Sequence, residues 1–283
     1  MPIQINTPVE NHLEQFGLLV KREDLSCLPP GPPFSKTRGV FAHIQARPER
    51  TIGVLDTYHS QAGHAVAEAC ALLGKQTVNF YPVRKAERGH VLKPQQQAAV
   101  DLGAASIPLP AGRSAILYHQ AKKSLAFMYD HLPGGVYMMP NALKLPEMVT
   151  ETAAEVQRTL LSTPIPYGMP VIIAASSGTI AAGVIAGFRQ LGQNPLFIIH
   201  QGYDRPEGAI VKYMARMMGG AASPLGLPLN IQLINEGYSY GDVAKAGPEP
   251  LWPCNVYYDL KAFRWWMREG RAQYGEALLW NIG

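Results

Sequence analysis

The chain has 283 residues, 47% of them hydrophobic and 16% charged, enough to bury a large core in one large or two modest domains. No run approaches the roughly 18 apolar residues that span a bilayer, and Met1-Pro2-Ile3-Gln4 lacks the basic and then apolar build of a secretory signal, so a cytoplasmic protein is expected. The net charge of +4 is mild and its cations are scattered, which argues for small anionic ligands and against a dedicated nucleic-acid surface.

In chain order, residues 7–15 read as a connector and 17–25 as a short buried strand ending in the charge run Lys21-Arg22-Glu23-Asp24, a solvated or mutually paired face. Leu28-Pro29-Pro30-Gly31-Pro32-Pro33 arrives extended, because proline fixes its own φ and pushes the residue before it out of the helical region. Ser35 is then a good N-cap for a helix whose apolar face is Val40, Phe41 and Ile44, closed by Arg47-Pro48. A strand at 51–55, a small-residue helix at 62–73 stopped by Gly74 and a strand at 77–81 make a βαβ unit and imply a parallel pair. Helices at 95–102 and 113–130, a strand at 136–139 and a helix at 146–161 follow. A second βαβ unit comes next: strand 171–175, the turn Ser176-Ser177-Gly178-Thr179, helix 180–191 stopped by Gly192, strand 196–199. The remainder predicts a helix at 206–218, strands at 231–234 and 255–258 around a Gly- and Pro-rich loop, a helix at 260–268 and a closing strand at 277–280. This alternation predicts two doubly wound α/β domains with mostly parallel sheets and ligands at the carboxyl ends of strands.

Three places carry candidate chemistry. Lys36 sits in the first turn of its helix, where the positive end of the dipole and partial desolvation both disfavour the ammonium, and a neutral amine is what Schiff-base chemistry needs. At Ser176-Ser177-Gly178-Thr179 small residues let backbone N–H groups approach an anion at a helix N-terminus. That turn is a phosphate cradle, but it lacks the Lys-Ser/Thr ending of a P-loop and the three-glycine dinucleotide spacing, so a nucleoside triphosphate is not expected. His59-Ser60-Gln61 offers an imidazole, a hydroxyl and an amide at the same kind of strand end, while His64, one turn on, reads as a satisfied helix histidine. Cys27, Cys70 and Cys254 are too far apart for a zinc or disulfide framework, so structural thiols, a reducing compartment and no metal are predicted.

Val20-Lys21-Arg22-Glu23-Asp24-Leu25, Ser35-Lys36-Thr37-Arg38, Ser60-Gln61 before an Ala-rich helix ending in Leu73-Gly74, and Ser177-Gly178-Thr179 resemble, in order, the fold type II (tryptophan synthase β-like) family of pyridoxal-phosphate enzymes. The resemblance is to the branch that contains aminocyclopropanecarboxylate deaminase and D-cysteine desulfhydrase, and it covers nearly the whole chain. Glu236-Gly237-Tyr238 is similar to that branch's Gly-Tyr loop, and Val256-Tyr257-Tyr258-Asp259-Leu260-Lys261-Ala262 to its Pro-Val-Tyr-x-Gly-Lys-Ala segment. Leu278 to Gly283 is similar to the closing strand and glycine turn.

This resemblance implies pyridoxal 5′-phosphate in a cleft between a large domain, 1–38 plus 147–283, and a small one, 39–146, in a homodimer. Lys36 would form the Schiff base and shuttle a proton; Ser176, Ser177, Gly178 and Thr179 would hold the phosphate; and Gln61 would stand beside the ring oxygen in place of an asparagine. Asp259 would face the pyridine nitrogen, where a carboxylate keeps the ring protonated and a strong electron sink. Ser60, Tyr238 and Tyr258 would meet the substrate, with Tyr58 or His59 in the same pocket. Gly39 replaces a second lysine of the deaminase branch, Val256 a proline and Leu260 a glycine. The expected activity is that of a lyase or deaminase acting at the α-carbon of a small amino acid or amino-acid conjugate. Compact phage relatives that process an amino acid attached to a modified thymine base make decarboxylation of such a conjugate the alternative, with nucleic acid entering only as the modified-base substrate. A β-replacement synthase and a catalytically weak amino-acid-binding relative are further readings.

Overall fold

The computed structural model of the chain describes residues 3–57, 59–83, 91–110, 112–219 and 228–283. Among these residues the strands are β1 (Val9–His12), β2 (Leu18–Arg22), β3 (Thr51–Leu55), β4 (Gln76–Val83), β5 (Ala105–Pro110), β6 (Val136–Met138), β7 (Val171–Ala175), β8 (Phe197–Gln201), β9 (Ile231–Ile234) and β10 (Ala277–Asn281). The helices are α1 (Leu13–Phe16), α2 (Thr37–Gln45), α3 (Ala62–Leu72), α4 (Pro94–Asp101), α5 (Ser114–Tyr129), α6 (Pro146–Ser162), α7 (Thr179–Gln190), α8 (Glu207–Met217), α9 (Asp259–Trp265) and α10 (Arg271–Tyr274).

The strands form a six-stranded sheet of order β1-β2-β10-β7-β8-β9 and a four-stranded sheet of order β5-β4-β3-β6. Every pairing is parallel except β1 with β2. Side chains alternate between faces along β7: Val171, Ile173 and Ala175 join one core cluster, and Ile172 and Ala174 the other. Trp280 and Leu278 against Leu279 and Ala277 do the same in β10. Both faces of the large sheet are therefore covered, which is why these strands read as unbroken apolar runs in a doubly wound α/β fold.

Two expectations need correction, and one strand is unanticipated. Residues 7–15 contain strand β1, an antiparallel edge of only four residues whose side chains are mostly half-buried, so its hydrophobic signal is weak. Strand β5 lies in a stretch for which the sequence predicts no element; it carries Pro108 and Pro110 and sits at the sheet edge, where a missing N–H does least harm. Residues 255–258 form a turn instead of a strand, wound by Asn255, whose carbonyl accepts the N–H groups of Tyr258 and Leu260.

The charge run is mutually paired but not solvated. Lys21 Nζ lies 2.7 Å from Glu155 Oε1 with both side chains fully buried, Arg38 grips Glu23 through both terminal nitrogens, and Arg22 chelates Asp24. These pairs join β2 to α2 and α6, and Asn281 Nδ2 donates to Asp24 Oδ1 to bring in β10. Coulomb attraction inside the core holds Glu155 down at about 2 despite its burial, with Arg38 and then Lys21 the main causes. Among the described residues no helix is long and apolar enough to cross a membrane.

Candidate active site

The carboxyl ends of β3 and β7, one from each sheet, open onto a cavity of about 580 Å³. That volume lies within the range of about 300–1,000 Å³ that encloses a drug-sized ligand. Lys36, Ser60, Gln61, Tyr258, Asp259 and the whole Ser176-Ser177-Gly178-Thr179 turn line it. His59 lines it too, and Tyr58 lies outside the described residues.

Lys36 occupies the N-cap position of α2, one residue before the expected first turn. Thr37 Oγ1 donates to the carbonyl of Phe34 at 2.7 Å, whereas the hydroxyl of Ser35 is buried without a partner among the described residues, so Ser35 is not the side-chain cap that its residue type predicts. Burial, reinforced by the charge of Lys144, brings the Lys36 amine down to about 8. Nearby, Ala142 (φ 60°) lines the cavity and Leu143 (φ 50°) follows it, two non-glycine residues in left-handed backbone beside the site.

The serine-rich turn is built as its composition dictates. Gly178 has φ 91°, a conformation open to glycine, and delivers the chain into α7 with Thr179 as its first residue. Ser177 Oγ lies 3.0 Å from Thr179 Oγ1, which in turn lies 2.9 Å from the hydroxyl of Tyr213. Arg205 donates to the carbonyl of Ser176 and so brings a guanidinium beside the turn. Hydroxyls, the N–H groups at the start of α7 and a cation together suit a phosphate.

Asp259 is buried at the start of α9, its carboxylate accepting the N–H of Ile282 at 2.9 Å and of Gly283 at 3.2 Å. Burial pushes its carboxyl up to about 7. Gln61 Oε1 is buried without a hydrogen-bond partner among the described residues, while its residue lines the cavity. Such an orphaned polar atom is costly unless a ligand answers it. Tyr258 faces Ser176 and Tyr240, and burial raises its phenol. Its ring fits because Gly202 has no side chain; a Cβ there would come within 2.4 Å of the ring.

Tyr238 is not brought to the cavity. Its ring is buried beneath Lys261 Nζ, 4.3 Å from the centroid, and its hydroxyl accepts the N–H of Lys245. The loop after β9 is wound by Gly237 (φ 71°), by Asn235 Oδ1 accepting the Gly237 N–H and by Asp242 Oδ2 accepting the Ser239 N–H. It delivers Tyr240 to the cavity in place of Tyr238, and the Tyr240 hydroxyl lies 2.9 Å from Thr57 Oγ1. Asp56 is a further residue that sequence reasoning missed. It follows β3, lines the cavity, and is pushed up to about 7 by burial, with Thr57 N–H donating to Oδ1 at 2.8 Å. Its position at the carboxyl end of a parallel strand was the available signal.

His64 stays out of the site, its Nε2 2.7 Å from the carbonyl of Pro30. Gly39 has no room for any side chain, since a Cβ would come within 2.6 Å of Met148 Cα, so α2 meets the start of α6 at that point. Burial raises all three thiols, and Cys27, Cys70 and Cys254 are free, in keeping with structural roles.

The chain is 48% identical over 285 aligned positions, 98% of both chains, to a glycyl-dTMP PLP-dependent decarboxylase of Pseudomonas phage M6. Among solved structures it resembles an ACC deaminase homologue, with a TM-score of 0.82 and 18% identity over all of this chain and 90% of that one. A fungal L-serine ammonia-lyase from Rhizomucor miehei matches at a TM-score of 0.67 and 14% identity, over all of this chain and 95% of that one. Diaminopropionate ammonia lyase from Escherichia coli, in complex with an aminoacrylate-PLP azomethine, matches at 0.64 and 16%, over all of this chain and 84% of that one. No protein-family model matches the chain.

Proposed function

The chain belongs to the fold type II family of pyridoxal-phosphate enzymes, and on that premise we propose that it decarboxylates a glycyl unit carried on a thymidine nucleotide. The observation that carries this reading is the 48% identity, spread over 98% of both chains, to a protein of that activity. The deaminases and ammonia lyases stand at 14–18% identity and speak for the fold alone. The expected lyase or deaminase activity on a small amino acid therefore gives way to the alternative.

The residues lining the cavity fit the cofactor. Lys36 would hold its aldehyde carbon, the 176–179 turn its phosphate, the amide N–H of Gln61 its ring oxygen and Asp259 its pyridine nitrogen. When bound, the cofactor supplies an electron sink for the pair left on the α-carbon. Lys36, with an amine already poised near neutrality, gives a proton to the α-carbon as carbon dioxide departs, so the bond to the carboxylate is replaced by a bond to hydrogen. Ser60 and Tyr258 are assigned to orienting the substrate at that carbon, and Tyr238 is withdrawn from this role because its hydroxyl is spent on Lys245. We assign the phosphate-binding side to 1–38 plus 147–283 and the other wall to 39–146, in a homodimer.

Incubating the holoenzyme with glycyl-dTMP and following the products by mass spectrometry tests the reading. Loss of carbon dioxide with the amine retained is expected, and the variant Lys36→Ala should show neither this product nor the visible absorbance of the loaded wild type. Release of ammonia, or turnover of free amino acids with the conjugate untouched, would return the assignment to the deaminase branch.

A further inference from the structure

The residues assigned so far serve the amino-acid end of the substrate and leave a wall of rings in the same cavity unused. His59, Tyr203 and Tyr240 line it. The His59 ring lies 4.0 Å from that of Tyr257 at a tilt of 32°, and 5.8 Å from that of Tyr240. Tyr203 meets Tyr240 edge-on, at 5.2 Å and 86°. Each ring is thus braced by another, which reduces the entropy lost when a flat ligand settles on it. Tyr240 nevertheless stays 40% exposed, a large ring that internal packing leaves uncovered.

The edge of this wall carries a second feature. Asp56 is 1% exposed, and its Oδ2 makes no hydrogen bond of good geometry among the described residues, although the N–H of Gly63, the amide of Asn79 and the hydroxyl of Ser60 lie close enough to favour the charged carboxylate. Thr57 links the two: its N–H donates to Asp56 Oδ1 at 2.8 Å and its hydroxyl lies 2.9 Å from that of Tyr240. A buried carboxylate oxygen without a well-aligned donor is costly, so a donor supplied by a ligand would relieve it.

We propose that His59, Tyr203 and Tyr240, with Asp56 at their edge, form a pyrimidine-base subsite in which the base stacks on the rings and donates its N3–H to Asp56 Oδ2. The inference rests on the glycyl-nucleotide reading and adds how the nucleotide is recognised. Stacking is indifferent to base identity, because every base has a π-face. The carboxylate discriminates: thymine and uracil carry a hydrogen at N3, whereas cytosine presents a lone pair there, so an acceptor facing it leaves two acceptors opposed.

The test is calorimetric binding of dTMP and dCMP, neither of which carries an amino acid, to the holoenzyme at about pH 8.5, where the Asp56 carboxyl, pushed up to about 7, is ionised and can only accept. The wild type should bind dTMP at least tenfold tighter than dCMP. Removing a stacking ring typically costs about 1–3 kcal/mol, so Tyr240→Ala and His59→Ala should each weaken dTMP about fivefold or more. Tyr240→Phe, which keeps the ring, should stay within about twofold of wild type, and all these variants should keep the visible absorbance of the loaded protein. Asp56→Asn, whose amide both donates and accepts, should narrow the gap between dTMP and dCMP about fivefold. Equal affinity of the wild type for the two nucleotides, or dTMP binding unchanged in both alanine variants, would overturn the subsite. If glycyl-dTMP is decarboxylated but dTMP does not bind, the subsite falls and the proposed reaction stands. Ring-dependent dTMP binding without decarboxylation is the converse: the subsite stands and the proposed reaction falls.

Discussion

Asp259 and Ile282 are joined by a hydrogen bond of 2.9 Å from the backbone N–H of the latter to Oδ1 of the former, and the carbonyl of the same Ile282 accepts the N–H of Ser35 at 3.0 Å. The end of β10 thereby connects the buried carboxyl at the start of α9 to the residue next to Lys36. Two groups assigned to opposite ends of one cofactor ring hang from a single residue of main chain, so their spacing is set by the large sheet.

Asp56 and Asp259 make stability depend on pH. Burial pushes both carboxyls up to about 7 in the fold. In the unfolded chain they release their protons near pH 4, so between about pH 4 and 7 the folded state holds more protons and loses stability as pH rises, levelling off above 7. The cost is on the order of 2–4 kcal/mol per group. Cofactor-free wild type should therefore melt at falling temperatures from pH 5 to 7, and Asp56→Asn should flatten that slope. An unchanged slope in the variant would show that Asp56 does not titrate in this range.

Lys144 should influence how readily Lys36 reacts. Burial is the larger cause of the lowered amine and the Lys144 charge the second, so Lys144→Gln should let the Lys36 ammonium persist to higher pH. Schiff-base formation uses the neutral amine. Loading of cofactor-free variant, followed by visible absorbance, should need a higher pH than wild type to reach the same rate. Coincident pH profiles would remove Lys144 from this role.

Gly39 is needed for the approach of α2 to α6. A Cβ there would fall 2.6 Å from Met148 Cα and 2.8 Å from its backbone nitrogen, which cannot move aside as a side chain can. Gly39→Ala should destabilise by about 1–3 kcal/mol, the ordinary cost of overpacking, measured by denaturant unfolding. A neutral or stabilising result would mean the helices separate freely.

Glu155 should be among the most sensitive positions for stability. Its carboxylate receives Lys21 Nζ and the N–H groups of Asn6 and Thr7, and removing it leaves the fully buried Lys21 ammonium without that counter-charge. Glu155→Ala should cost about 3–5 kcal/mol. The double variant Lys21→Met with Glu155→Leu should recover part of that loss, because no charge is then stranded. If the single variant melts with wild type, the network contributes little.

The order of strands and helices, the parallel pairing and the parts of the site near chain landmarks were legible in the sequence. Glycine and proline mark element ends locally, and buried parallel strands announce themselves as apolar runs such as 171–175. Lys36, Ser60, Gln61, the 176–179 turn, Tyr258 and Asp259 follow such marks, and they meet in one cavity. What depended on distant partners was not legible. The charges at 21–24 look solvated until α2 and α6 enclose them, β5 is a strand only because it lies at an edge, and Gly39 reads as a lost lysine until Met148 is seen against it. The exchange of Tyr238 for Tyr240, and the placing of Asp56 beside the ring wall, are likewise products of tertiary structure. Which of two tyrosines in one loop faces a cavity is decided by hydrogen bonds to residues on either side and by groups nearly two hundred positions away, a constraint that local spacing does not encode.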